Sequence, residues 1–215
     1  DTGQLQLSYS HPGTNFKRRQ YSLDVRGYRQ HFVSQGESTY DSRLRPWFQA
    51  ATATEGPNWT DVYIAFTSRL PNVTASVPVY DQGDRALLGV CAADVVLPEE
   101  FRTFLKQLEI GQSGQAFVID RQGRLISSSA DEPLMIGDEK NPQFLQAVNS
   151  QDPLVQGTAQ YIAKRFGSLT EISRSEQLNF QLNGQRHFVQ VLPFRDGRGL
   201  DWLIVVAIPE ADFMK

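Results

Sequence analysis

The chain reads as an α+β protein made of two tandem modules, each an antiparallel sheet with flanking helices. Three observations lead there. Short alternating apolar runs are separated by turn dipeptides, the pattern of antiparallel strands. Only a few segments carry helical periodicity. And two distant stretches echo each other: Val77-Pro78-Val79-Tyr80-Asp81-Gln82-Gly83 resembles Leu192-Pro193-Phe194-Arg195-Asp196-Gly197. Each is followed by an apolar strand, and those strands run into Leu97-Pro98-Glu99-Glu100-Phe101 and Ile208-Pro209-Glu210-Ala211-Asp212-Phe213. The matching prolines stand at almost equal intervals, as a repeated supersecondary unit requires. We place the first module at residues 1–97, a connecting helix at 98–109 and the second module at 110–215.

The elements follow in order. Leu5–Tyr9 and Tyr21–Val25 read as strands around a His11-Pro12-Gly13 turn. Pro46 opens a helix at the position where its missing N–H costs nothing. Asn58–Phe66 alternates like one half-buried strand. Two further strands flank the hairpin turn Asp81-Gln82-Gly83-Asp84. Pro98 to Leu108 is the clearest helix, with Phe101, Phe104, Leu105 and Leu108 on one face and glutamates in its first turn. Ile110-Gly111-Gln112-Ser113-Gly114 breaks it.

Ala116–Asp120 and Arg124–Ser128 then pair around Arg121-Gln122-Gly123. Pro142 predicts a short helix through Phe144, Leu145 and Val148. Phe180–Leu182 and His187–Leu192 pair across Asn183-Gly184, a strong hairpin signal. Trp202–Ile208 reads as a buried closing strand. Asp196-Gly197-Arg198-Gly199 reads as a hairpin loop.

Composition bounds the function. With 215 residues, 40% hydrophobic and 21% charged, the chain is of ordinary globular make-up. A formal charge of -3 gives no electrostatic support for nucleic-acid binding. Lys17-Arg18-Arg19 reads as a solvated strand or loop. The single cysteine, Cys91, allows no intrachain disulfide, and its small apolar neighbours predict a buried, inert thiol. No apolar run reaches the roughly 18 residues of a membrane span. The three histidines share no metal or triad spacing, and no Walker loop, dinucleotide-binding glycine motif or His-Glu-x-x-His occurs. The expectation is a chain with no catalytic residue, no metal and no cofactor.

The chemically rich stretch is Tyr40-Asp41-Ser42-Arg43-Leu44-Arg45-Pro46-Trp47-Phe48. Arginine offers a planar fork of donors suited to carboxylate, and tryptophan an N–H on a large apolar wall. A strand-to-helix junction also favours an anion. On the residues alone the stretch is either an anion or zwitterion pocket, or an arginine paired with Asp41 beside a core aromatic pair. Asp94 ends the apolar run Val90-Cys91-Ala92-Ala93, where a carboxylate is costly unless partnered. It is either an exposed residue before a loop or an acceptor for an ammonium group. Tyr40 and Tyr63 add hydroxyls and aromatic walls.

These segments together resemble the double Cache family, ligand-sensing regions of bacterial transmembrane receptors. The Tyr40–Phe48 stretch is similar to the family's signature. Leu88-Gly89-Val90 through Asp94-Val95 resembles its Gly-Val-x-x-x-Asp strand. Ile110 through Asp120 resembles the opening of its second module, and Gly199-Leu200-Asp201-Trp202 through Pro209-Glu210 its closing strand. The family usually begins with a long helix, and the expectation is that this sequence starts after it. The resemblance implies two stacked PAS-like modules, an extracytoplasmic location, and attachment to the membrane only through flanking helices outside this segment. It admits a homodimer in the full-length receptor, with a kinase, chemotaxis or nucleotide-cyclase output.

Within the family, the amino-acid-binding subset carries a pattern that Tyr40, Arg45, Trp47, Tyr63 and Asp94 match. The resemblance implies that Tyr40, Arg45 and Trp47 hold an α-carboxylate, and that Tyr63 and Asp94 hold an α-ammonium. Phe48 departs from the subset's tyrosine, keeping the aromatic wall and losing a hydroxyl. The implied ligand is an L-amino acid in the first module. The alternatives are another small amine or carboxylate, or a structural module with an empty pocket.

Overall fold

The computed structural model describes residues 5–97, 99–138 and 141–213. Pro98, expected to open the connecting helix, lies outside the described residues, as do residues 1–4 of the expected first module. The architecture is α+β with antiparallel sheets throughout, as the sequence predicts.

The chain begins with an antiparallel meander, β1 (Gln6–Tyr9), β2 (Lys17–Leu23) and β3 (Arg29–Thr39). The sequence reading marks no strand at β3, whose run of Arg, Gln, His, Ser, Gly and Glu hides the alternation. A short turn ending at Leu44 leads into α1 (Pro46–Thr54), with Pro46 at its first position. Arg45 is the N-cap residue, and its carbonyl accepts the Phe48 and Gln49 N–H groups at 3.1 and 3.0 Å. Glu55 ends the helix in the left-handed conformation.

The second sheet is built on a long hairpin, β6 (Pro71–Tyr80) with β7 (Leu87–Val96), joined by β4 (Asn58–Trp59) and β5 (Tyr63–Ile64). The single strand expected over Asn58–Phe66 is thus broken in two. Thr60 causes the break: its N–H donates to the Thr74 carbonyl, and its hydroxyl accepts the Thr74 N–H at 3.0 Å. That side-chain bond replaces a ladder bond, and the chain steps so that Val62 enters the core.

After α2 (Glu99–Gln107) comes a five-stranded sheet. Its strands are β8 (Gln115–Asp120), β9 (Leu125–Ser128), β12 (Glu176–Leu182), β13 (Gln185–Arg195) and β14 (Asp201–Pro209). A small ladder of β10 (Met135–Ile136) and β11 (Gln143–Phe144) and the helix α3 (Pro153–Phe166) come between β9 and β12. The spatial order is β12-β13-β14-β8-β9. The echo seen in the sequence falls on two equivalent hairpins, with Pro78 on β6 opposite Val90 and Pro193 on β13 opposite Leu203.

The helix expected from Pro142 through Val148 does not form. Its backbone is taken by cross-chain bonds instead: Leu145 donates to Leu134 and accepts from Leu125. The real helix, α3, went unread although its signals are present. Asp152 caps Leu154 and Val155 from its carboxylate, Pro153 follows, and Leu154, Val155, Thr158, Ala159 and Ile162 form the buried face.

Two apolar clusters organise the interior. One lies between α3 and the five-stranded sheet, centred on Phe117, Leu203, Val205 and Ile162. The other joins the two halves: Val62, Val73 and Leu97 from the first pack with Leu105 of α2 and with Ala116, Val118, Ile126 and Trp202 from the second. Cys91 corrects the sequence expectation, because it is exposed. It lies opposite Val77 on the β6–β7 face that also leaves Val79 and Val95 exposed, so an apolar strand context did not mean burial.

The halves also meet backbone to backbone. Trp59 N–H donates to the Arg198 carbonyl at 2.7 Å. Gly199, at φ +127, comes so close that a Cβ there would run into the Trp59 carbonyl. Gly199→Ala should therefore lower stability by about 1–3 kcal/mol in urea denaturation. A midpoint unchanged from the parent chain would show that this contact is dispensable.

Candidate functional site

A cleft of about 230 Å³ opens where α1 meets the β6–β7 sheet. Its walls include Tyr40, Arg45, Trp47, Tyr63 and Asp94, five of the six residues picked out in the sequence. Phe48 is not among the lining residues. It packs edge-on against Trp47, with ring centroids 5.7 Å apart, and so supports the tryptophan from behind.

One wall is cationic and aromatic. Asp41 does not pair with Arg45. It takes Arg43 instead, through Nε at 2.9 Å and Nη2 at 2.7 Å, and this hydrogen bonding holds its carboxyl below the usual range. Arg45 is thereby left to the cleft. Its guanidinium stacks 4.1 Å from the Phe66 centroid and 5.0 Å from that of Tyr40, while the two rings tilt against each other at 5.5 Å. Its buried Nε has no acceptor among the described residues. Stacking engages the face of the guanidinium and leaves its in-plane N–H donors available. Tyr40 is pinned by its backbone, whose N–H donates to Phe16 and whose carbonyl accepts from the Ser10 hydroxyl at 2.6 Å.

The other wall is a directed hydrogen-bond chain. The β6–β7 register puts Thr74 opposite Asp94. The Thr74 hydroxyl donates to Asp94 Oδ1 at 2.7 Å, so it has only a lone pair to offer the Tyr63 hydroxyl 2.7 Å away. Tyr63 therefore donates to Thr74, and Thr74 to Asp94. The fully buried Asn72 reinforces the chain, with its Nδ2 3.0 Å from Tyr63 Oη, 3.0 Å from Thr74 Oγ1 and 3.2 Å from Asp94 Oδ1. Burial pushes the Tyr63 phenol above its ordinary value; the Thr74 bond opposes this and the Asp94 charge adds to it. Tyr63 stays a neutral donor at ordinary pH. All the donors supplied to Asp94 reach Oδ1, which leaves Oδ2 without a hydrogen-bond partner among the described residues.

Sequence reasoning missed Phe66, Asn72 and Thr74. Asn72-x-Thr74-x-Ser76 does carry a signal: polar residues at alternate positions of an apolar strand, all on one face and all buried.

An antiparallel α+β scaffold with a cation–aromatic wall on one side of a cleft and an organised carboxylate on the other is a ligand-binding module. The chain belongs to the Cache domain family, whose dCache_1 model matches residues 3–215. It is thus a sensor domain, a binding module and not a catalyst.

The methyl-accepting chemotaxis protein PscA of Pseudomonas syringae pv. tomato is 32% identical over 87 residues, which are 40% of this chain and 13% of that protein. Among solved structures, the ligand-binding domain of Mlp24 with asparagine aligns at a TM-score of 0.54 and 16% identity, over 84% of this chain and 62% of that one. The ligand-binding domain of the Pseudomonas aeruginosa PAO1 amino-acid chemoreceptor PctB, in complex with L-Arg, aligns at 0.51 and 20% identity, over 84% and 66%. At these identities the structures share the fold. Among the described residues no helix is long and apolar enough to cross a membrane.

Asn72→Leu keeps the volume and removes the donor common to Tyr63, Thr74 and Asp94. It should cost about 0.5–1.5 kcal/mol by urea denaturation, the net worth of a hydrogen bond, because Thr74 and Asp94 keep their other donors. A variant as stable as the parent would mean that Asn72 does not hold this wall together.

Proposed function

We propose that this domain is the extracytoplasmic sensor of a transmembrane chemotaxis receptor and that it binds an L-amino acid in the Tyr40–Asp94 cleft. The observation that carries the reading is the meeting, in one cleft, of an arginine with no carboxylate partner and an aspartate with an unpaired Oδ2, both among the described residues. A zwitterion presents the complementary pair of charges. Arg45, with Trp47 and Tyr40 beside it, takes the α-carboxylate; Asp94 and Tyr63 take the α-ammonium. Mlp24 and PctB, named with asparagine and L-Arg, share the fold and support the ligand class. Two methyl-accepting chemotaxis proteins among the relatives support the output. In this reading residues 1–97 form the ligand-binding unit, 98–109 the connection and 110–215 the membrane-proximal unit. Binding shifts a conformational equilibrium that flanking membrane helices report.

The two charged ends make a crossed prediction. Charge-assisted hydrogen bonds contribute about 1.5–3 kcal/mol, and each 1.4 kcal/mol is tenfold in affinity. A calorimetric screen of the proteinogenic amino acids should yield at least one ligand. Arg45→Ala and Asp94→Ala should each weaken it by roughly ten- to a hundredfold in a domain that still unfolds cooperatively, Asp94→Ala with a lower thermal midpoint because Thr74 and Asn72 lose their acceptor. The amine-free analogue of that ligand should stay sensitive to Arg45→Ala and become insensitive to Asp94→Ala. Wild-type affinity in both variants would exclude the zwitterion clamp.

A further inference from the structure

A second cavity, of about 440 Å³, adjoins the cleft and shares Tyr40, Phe66 and Thr67 with it. Its charge is one-sided. Arg18 and Arg69 line it together with Gln20, Ser34 and Gln35, and among the described residues no carboxylate does. Arg18 stacks 4.6 Å from the Tyr40 centroid and donates from Nη1 to the Thr67 hydroxyl at 2.9 Å. Arg69 lies 5.6 Å from the Phe66 centroid. Arg18, Arg45 and Arg69 thus surround one tilted aromatic pair, and none of them has a carboxylate partner among the described residues. The nearby Asp41 is already held by Arg43.

Three guanidinium groups gathered within one site repel one another. In a chain of net charge -3, carboxylates to neutralise them are not scarce. Ring stacking offsets part of that repulsion but occupies only guanidinium faces. Apart from the Nη1 donor given to Thr67, the N–H groups of Arg18 and Arg69 remain, and a guanidinium presents them in a geometry that fits a carboxylate. The α-carboxylate of an amino acid accounts for Arg45 alone.

Resting on the amino-acid reading above, we infer that the adjoining cavity is a side-chain subsite and that the ligand is an acidic amino acid, its side-chain carboxylate held between Arg18 and Arg69. Gln20, Ser34 and Gln35 supply neutral polar groups around it. Lys17-Arg18-Arg19, which by sequence is a solvated run, thereby contributes a specificity-determining residue through Arg18.

The probes are L-glutamate, L-aspartate, L-glutamine and L-asparagine, measured by calorimetry on the wild-type domain and on the Arg18→Gln/Arg69→Gln double variant. The wild type should bind L-glutamate or L-aspartate at least tenfold more tightly than the matching amide. The double variant should lose that preference and bind the amides within about threefold of wild type, which also shows that it is folded. If the double variant does not fold, Arg69→Gln alone decides, since that side chain is exposed; it should reduce the acid-over-amide ratio by at least threefold. Amides bound as tightly as acids by the wild type would overturn the subsite and leave the zwitterion clamp standing. A preference for the acid that survives in the variants would overturn the assignment to these arginines. Binding of none of these probes or of any other amino acid would overturn both readings.

Discussion

The register of the β6–β7 hairpin is the constraint on which the site depends. Pairing Thr74 with Asp94 puts Asn72, Thr74 and Asp94 on one face and leaves Val73 and Val95 on the other. A slip by one residue would turn every one of these side chains over. The carboxylate would lose its hydroxyl and amide donors, and Val73 would leave the core it shares with Val118 and Trp202. Because the burial of Val73 and the polar pairing on the opposite face demand the same register, neither can be satisfied without the other.

The cationic wall is set by competition for a single carboxylate. Asp41 stands two residues from Arg43 and four from Arg45, and a sequence offers no means of choosing between them. The structure shows the choice: Asp41 caps the turn through the Arg43 N–H and accepts the Arg43 guanidinium as well. Arg45, at the N-cap of α1, is thereby directed onto Phe66. Local capping geometry decides which arginine a ligand can use.

Much of this was legible in the sequence, and the rest failed for identifiable reasons. The antiparallel α+β class, the Pro46 helix and the repeated hairpins each rest on local signals that read correctly. Tyr40, Arg45, Trp47, Tyr63 and Asp94 were picked out and meet in one cleft. Phe48 was grouped with them as the counterpart of the subset's tyrosine, but successive helical residues point in different directions, and it packs on Trp47 without lining the cleft. Asn72, Thr74 and Phe66 escaped because their roles come from partners across strands or beyond a turn. β3 escaped because its polar residues mask a strand, and Cys91 because alternation identifies the faces of a strand without telling what covers them. The strand expected over Asn58–Phe66 broke at Thr60, where one hydroxyl takes over a ladder bond.

The alternation along β6 has a mechanical consequence. Thr74 is part of the cleft wall, and its neighbour Val73 is part of the core between the two halves of the chain. The two share a peptide plane, so they cannot be displaced independently. Close-packed interiors leave little free volume, so a shift of Thr74 at the cleft would press on the core that contains Val118 and Trp202. In engineering terms β6 is a rod whose one side carries the hydroxyl that feeds Asp94 and whose other side, one residue away, bears on the core shared with the second sheet.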